Sequence, residues 1–244
     1  MIDRAGQVAV VTGGSQGIGA ATVAALAARG MTVVAMARDP GRLNDALGAL
    51  DPAAQARTAA VQVDVSQEVQ VEAAVAEVAE RFGRIDVLVN SAGVSMNARR
   101  RLEHTTTEEW RRLVDTNLTG TYLMCRSALP HLKERGGYIL NVLSTGAYRV
   151  GEGSSLYAAS KFGARALTEA LIEEFRDSPV RTTSVSPGPV DTTIWDHKIE
   201  PPAPESRARM MRPSDIADIF VWLLDRPANL HIPDITVTPW TATG

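Results

Sequence analysis

Apolar residues in this chain follow two rhythms. Short β-branched runs recur at residues 8–12, 32–37, 59–64, 87–90, 138–144, 181–186 and 232–237. Between them, over residues 17–29, 66–82, 107–134, 156–176 and 214–224, apolar positions fall three or four apart among good helix formers. The first rhythm predicts strands and the second predicts helices. Their alternation is that of parallel strands joined by crossover helices. Several runs, such as Val-Ala-Val-Val at 8–11 and Val-Leu-Val at 87–89, are apolar at successive rather than alternate positions. That is the pattern of strands covered on both faces. The fold class predicted is α/β: a single doubly wound, Rossmann-type domain over residues 1–244, with a predominantly parallel seven-stranded sheet flanked by helices.

One stretch breaks the alternation. Residues 192–212 contain Pro201, Pro202 and Pro204 in Glu-Pro-Pro-Ala-Pro-Glu, which disfavours helix and strand alike. A connection of this length in a compact domain is often functional, and it is read as a substrate lid or loop.

Composition narrows the function classes. A hydrophobic content of 45% suits a globular protein with a full core, and a net charge of −3 offers no general field for nucleic acid or anionic lipid. No apolar run reaches bilayer length, and the start, Met-Ile-Asp-Arg-Ala-Gly, lacks a basic segment followed by a long apolar one. With Cys125 as the lone cysteine, a reducing cytoplasmic location is expected. The four histidines are scattered without ligand spacing, so no metal site is expected.

Where the first predicted strand passes into the first helix stands Thr12-Gly13-Gly14-Ser15-Gln16-Gly17-Ile18-Gly19. Glycines there let the backbone approach a pyrophosphate, while free N–H groups and the dipole at the helix start favour its charge. Gly13, Ser15, Gln16, Gly17, Ile18 and Gly19 are therefore cofactor-binding candidates. At the end of the second strand, Ala37 stands where a NAD-selective protein usually carries an acid, and Arg38 follows it. A guanidinium suits a ribose 2′-phosphate, which favours NADP(H) over NAD(H); Asp39 next door offers the opposite choice if the loop turns the other way. Asp64 and Val65 close the third strand, and Asn90, Ala92 and Gly93 the fourth, at the edge where open α/β sheets bind ligands.

The chemistry sits further along. Tyr157 and Lys161 are four residues apart in Ser-Leu-Tyr-Ala-Ala-Ser-Lys, about one helical turn, so they share a face. A nearby ammonium favours a phenolate and makes proton transfer by the phenol easier. Ser144, thirteen residues before Tyr157, ends the fifth strand and adds a hydroxyl.

Taken together, these motifs resemble those of the short-chain dehydrogenase/reductase family in its single-domain form. Residues 12–19 match its TGxxxGxG, residues 90–93 are close to its NNAG with Ser91 as a departure, and Tyr157 to Lys161 match its YxxxK. Ser144 falls at its catalytic serine, Asn117 in Asp-Thr-Asn-Leu at its catalytic asparagine, and Pro187-Gly188 at the PG after its sixth strand. The resemblance implies hydride transfer between NADP(H) and a ketone or secondary alcohol. Tyr157 would be the general acid/base, Ser144 would hold the substrate oxygen, Lys161 would tune the phenol and bind the nicotinamide ribose, and Asn117 would anchor a proton-feeding water. It further implies that Pro187, Gly188, Val190 and Thr192 wrap the nicotinamide. Ser95, Met96, Thr145, Tyr148, Trp195 and His197 are candidates to line the substrate pocket. Arg99, Arg100 and Arg101 read mainly as a solvated charge run, with an anionic substrate as the alternative. Cys125 reads as a small buried hydrophobe.

A small-molecule carbonyl or alcohol is the expected partner. A homodimer or homotetramer is implied through the helices at 107–134 and 156–176, with Val114, Leu118, Ala166 and Leu167 contributing. The ending His231-Ile-Pro-Asp-Ile-Thr-Val-Thr-Pro-Trp departs from the family's common Tyr-Ile-Thr-Gly turn, which puts packing at that edge in question. The competing function is a catalytically silent dinucleotide-binding sensor or structural subunit, which would have no need of the acid/base set.

Overall fold

Along β1 (Val8–Thr12), Val8 and Val10 face one side of the sheet while Ala9 and Val11 face the other, and all four are buried. This is how the uninterrupted apolar runs arise: each strand feeds two cores at once. In the computed structural model, which describes residues 4–240, six further strands join it. They are β2 (Thr32–Ala37), β3 (Thr58–Gln62), β4 (Val87–Asn90), β5 (Tyr138–Val142), β6 (Arg181–Pro187) and β7 (Asp234–Val237). Among the described residues the sheet runs β3-β2-β1-β4-β5-β6-β7 with every pairing parallel. The order reverses between β1 and β4, which opens a crevice at their carboxyl ends. The first three residues of the N-terminal stretch read above lie outside the described residues.

The connecting helices are α1 (Gly17–Ala28), α2 (Pro40–Gly48), α3 (Pro52–Gln55), α4 (Glu68–Phe82), α5 (Thr107–Val114), α6 (Gly120–Arg135), α7 (Ser155–Glu174), α8 (Pro204–Arg207) and α9 (Pro213–Leu224). On one face Val71, Val75 and Val78 of α4 and Leu123, Met124 and Leu132 of α6 join the buried residues of β1 to β5 in one core. On the other, Val23 and Leu26 of α1 meet Phe220 and Leu223 of α9. A fully buried side chain such as Phe220 contributes about 1.5–3 kcal/mol by burial. Below the sheet, Asp86 accepts from the Val8 amide at 2.8 Å and from Arg84 Nε at 2.7 Å, tying the start of β1 to β4.

The structure departs from the periodicity in several places, among them a short helix, α8, inside the stretch read as a loop, where Pro204 stands at the helix start that proline tolerates. Helices α2 and α3 were not expected; each begins at a proline, capped by the carboxylates of Asp39 and Asp51 respectively. The helix expected over 107–134 is interrupted at Asp115–Thr119 by a wide π-type turn. Strand β3 stops at Gln62 rather than 64, because Gln70 Oε1 takes the Asp64 amide at 2.9 Å. Strand β5 stops at Val142, because Ser144 caps the short turn Thr145–Ala147. Cys125 is buried as expected, and burial pushes its thiol up to about 12. Among the described residues no helix is long and apolar enough to cross a membrane.

Candidate active site

A cleft of about 1480 Å³ runs over the carboxyl ends of the strands. Sites for one small ligand are typically about 300–1,000 Å³, so this one has room for a dinucleotide and a substrate together.

At one end the backbone forms a phosphate cradle. Gly13 has φ +67°, and a Cβ there would lie 3.0 Å from the backbone of Ala92; a Cβ at Gly19 would overlap the Gly13 carbonyl. Only glycine lets the three turns approach this closely. Thr12 secures the junction, its Oγ1 accepting from the Ser91 amide at 3.1 Å and the Ala92 amide at 3.0 Å. The start of α1 has no side-chain cap, and no acid stands in its first turn, so its N–H groups and dipole face the cleft unopposed. These features fit the pyrophosphate of a dinucleotide.

Arg38 lines the cleft beyond this cradle, exposed, with no side-chain partner among the described residues. Asp39 also lines the cleft, but its carboxylate is engaged: its Oδ1 accepts from the Arg42 amide at 3.1 Å to cap α2, and its Oδ2 faces Arg42 Nε at 3.5 Å. The loop that left the choice open in the sequence therefore presents Arg38 and Arg42 and spends the carboxylate on its own helix. Arg42 was missed in the sequence reading, although Asp-Pro at 39–40 signals a helix start that brings residue 42 back to the site. Asp64 and Val65 also line the cleft, with Asp64 Oδ1 accepting from the Ser66 hydroxyl at 2.7 Å.

At the other end Ser144, Tyr157 and Lys161 meet. Ser144 Oγ accepts from the Gly146 amide at 3.0 Å, and its hydroxyl also hydrogen-bonds with the Tyr157 phenol. Gly146 packs under the phenol ring; a Cβ there would sit 3.1 Å from Tyr157 Cε1. The ring rests on a small cluster of Val94, Met96, Leu113 and Leu156. Burial pushes the Tyr157 phenol above its ordinary value, opposed by hydrogen bonding with Ser144. Lys161 is buried, donates from Nζ to the Val142 carbonyl at 3.0 Å, and is lowered to about 8 by desolvation. The phenol is therefore raised rather than lowered as the spacing suggested, because burial outweighs the hydrogen bond from Ser144.

Asn117, in the π-type turn, is buried. Its Oδ1 accepts from the Val94 amide at 2.8 Å, and its Nδ2 donates to the Val94 carbonyl and to Ser160 Oγ, each at 3.0 Å. Both amide hydrogens are spent on protein, and its backbone carbonyl accepts from Thr121 Oγ1 at 2.9 Å.

The remaining candidates divide clearly. Gly13, Ser15, Gln16, Gly17, Ile18, Ala92, Gly93, Pro187, Gly188, Val190 and Thr192 line the cleft, as do Ser95, Met96, Thr145, Tyr148, Trp195 and His197. Gly19 lies behind the wall, acting through its close packing on Gly13. Asn90 is a correction. It was expected among the cofactor contacts, but its amide is buried in the sheet and donates to Asn141 Oδ1 at 2.9 Å and Cys125 Sγ at 3.2 Å. Within the segment expected as a lid, Trp195 Nε1 donates to the Val190 carbonyl at 2.8 Å, and Arg207 binds Asp191 and Asp196, each at 2.6 Å. Tyr148 donates its hydroxyl to Asp234, and Arg165 lies 4.1 Å over its ring.

A parallel sheet with a glycine cradle at its switch point and a Ser-Tyr-Lys group across the cleft defines the class of dinucleotide-binding oxidoreductases. The family model for short chain dehydrogenases matches residues 7–202, and the chain belongs to that family. An uncharacterised oxidoreductase of Staphylococcus saprophyticus is 34% identical over 245 residues, covering 98% of this chain and all of that one. Among solved structures, an alcohol dehydrogenase from the archaeon Thermococcus sibiricus, complexed with 5-hydroxy-NADP, superposes with a TM-score of 0.84 at 31% identity and 95% coverage of both chains. A 3-ketoacyl-(acyl-carrier-protein) reductase from Brucella melitensis, complexed with NADH, gives 0.85 at 30% identity, covering 96% of this chain and 97% of that one.

Proposed function

We propose that this protein is an NADP(H)-dependent oxidoreductase that interconverts a ketone and a secondary alcohol, working chiefly as a carbonyl reductase. The observation that carries the reading is the meeting of Ser144, Tyr157 and Lys161 in one cleft with the glycine cradle and Arg38. The cofactor, when bound, supplies or accepts the hydride. The cradle from Gly13 to Ile18 holds its pyrophosphate, Arg38 with Arg42 its ribose phosphate, and residues 187–192 its nicotinamide half. The relatives hold both NADP-type and NADH cofactors, so the preference for NADP rests on Arg38 and on the engagement of Asp39 with α2.

Ser144 turns its hydroxyl hydrogen from the phenol to the substrate oxygen and steadies the charge that develops there. Tyr157 delivers a proton to that oxygen in reduction and removes it in oxidation. Burial holds the phenol above its ordinary value, so at neutral pH it carries the proton that reduction requires. Lys161 supplies positive charge as the phenol loses its proton, and its free hydrogens face the cofactor ribose. Asn117 acts by position, fixing Val94 and hence the wall under the ring. Residues 192–212 act as the substrate lid.

Exposed Trp110, Tyr122 and Phe162 on α5, α6 and α7 support a homo-oligomer through these helices. Leu118 and Leu167, expected to contribute, are partly buried against their own chain's core. The test of the reading is NADPH consumption across a panel of ketones and aldehydes. Turnover of at least one class supports it, and cofactor binding without turnover of any carbonyl or alcohol contradicts it.

A further inference from the structure

The three-arginine run at 99–101 comes apart in the structure. Arg100 pairs with Glu109 at 3.1 Å and Arg101 with Glu103 at 3.1 Å, whereas Arg99 lines the cleft with no carboxylate partner among the described residues. Three more cations line the same cleft: Arg112, Arg149 and Lys198. None of these four forms an ion pair among the described residues. Lys198, carried on the segment after Pro187-Gly188, reaches across to donate to Ser95 Oγ at 2.9 Å and to the Met96 carbonyl, and Arg112 donates to the Ser95 carbonyl at 2.9 Å. Met96 in turn belongs to the cluster on which the Tyr157 ring rests, so Lys198 and Arg112 stand beside the wall of the phenol, with Arg99 near enough to act on Lys198.

The cofactor gives this cluster nothing to neutralise. Its phosphates belong to the glycine cradle and Arg38 at the far end. The acids that line the cleft, Asp39 and Asp64, are at that far end too, engaged with α2 and Ser66. Like charges held together without a counter-charge oppose folding and favour an anion between them. Lys198 registers the strain, pushed below its ordinary value by burial and then by Arg99 and Arg112. A purely mechanical latch on the lid would use Lys198 alone and would not account for Arg99 or Arg149.

We propose that the substrate of this site is an anion, a carbonyl compound or alcohol bearing a carboxylate or phosphate ester away from the reacting carbon, recognised by Lys198 together with Arg99 and Arg112. This inference rests on the hydride-transfer reading for the reacting end, but the anion site can be tested by binding alone. Protein loaded with NADP⁺ is titrated, by intrinsic tryptophan fluorescence, with two matched pairs: 3-oxobutanoate against its methyl ester, and dihydroxyacetone phosphate against dihydroxyacetone. The anionic member of at least one pair binds at least ~10-fold tighter, the scale of one charged hydrogen bond, and the pair that discriminates identifies carboxylate or phosphate. That ratio collapses to within about twofold in Lys198→Gln/Arg99→Gln and is retained in Lys198→Arg, which keeps the cation. Equal binding of both members in both pairs overturns the proposal, as does a ratio that survives the double substitution. Turnover of the same compounds is read separately. Selective binding without turnover sustains the anion site and counts against hydride transfer; turnover without selectivity does the reverse.

Discussion

Lys161 Nζ donates to the Val142 carbonyl oxygen at 3.0 Å, which fixes a buried ammonium at the end of β5 with no ion-pair partner among the described residues. Its lowering to about 8 means that the fold resists its charge at neutral pH, by about 3 kcal/mol. Lys161→Met removes that penalty and leaves the Val142 carbonyl without its donor, a loss of about 1 kcal/mol. The cofactor-free variant is therefore more stable than wild type at pH 7 by about 1–2 kcal/mol, a rise of a few degrees in Tm, while inactive. Between pH 8 and about 10.4 the unfolded chain holds the lysine proton that the folded chain has released, so wild-type stability climbs relative to the variant. Melting curves at pH 7 and pH 10 check this; a Tm difference that does not change with pH refutes it.

The proposed preference for NADP rests on a loop in which the Asp39 carboxylate is occupied and Arg38 is not. Arg38→Ala raises KM for NADPH about ten- to hundredfold, the scale of a charged contact to phosphate, and leaves KM for NADH within about twofold. Steady-state kinetics with both cofactors decide it, and an unchanged NADPH preference removes Arg38 from the site.

The cradle tolerates no Cβ at its crossing. Gly19→Ala forces the Gly13 carbonyl to move, costing about 1–3 kcal/mol of stability and weakening cofactor binding more than tenfold. Gly48→Ala, at the open end of α2 with nothing within 4 Å, is the control and is neutral or stabilising by up to about 1 kcal/mol. Thermal melts and cofactor titration of the pair separate a cradle effect from a generic one. Equal behaviour of the two contradicts the packing argument.

Asn117 makes three side-chain hydrogen bonds that hold the π-type turn against Val94 and Ser160. Asn117→Ala leaves the Val94 amide and carbonyl without their partners and costs about 2–4 kcal/mol. Because the residue acts by position, kcat falls while the cofactor Kd changes little. A loss confined to cofactor affinity speaks against that role.

Much of this was legible because both sheet faces are covered: the strands announce themselves as apolar runs, and the motifs fall at their carboxyl ends. Helices α2 and α3 were missed because their apolar positions are few, though Asp39-Pro40 and Asp51-Pro52 are capping signals in plain view. The break at 115–119 carries no proline or glycine of its own; it follows the side chain of Asn117 into the core, a long-range contact that periodicity does not encode. Asn90 reads like a ligand for the same reason in reverse, since the residue type suits both a ligand-binding turn and a buried sheet amide. The gathering of Arg99, Arg112, Arg149 and Lys198 joins distant parts of the chain, and only the fold brings them together.

The central claim is that Tyr157 transfers the proton while other groups hold the cofactor. The most direct measurement is Tyr157→Phe, read by single-turnover NADPH oxidation with a carbonyl that wild type reduces, alongside an NADPH titration. The account predicts that turnover falls by at least ~10³-fold while NADPH Kd stays within about threefold. Near wild-type turnover in this variant, with the cofactor bound, contradicts it.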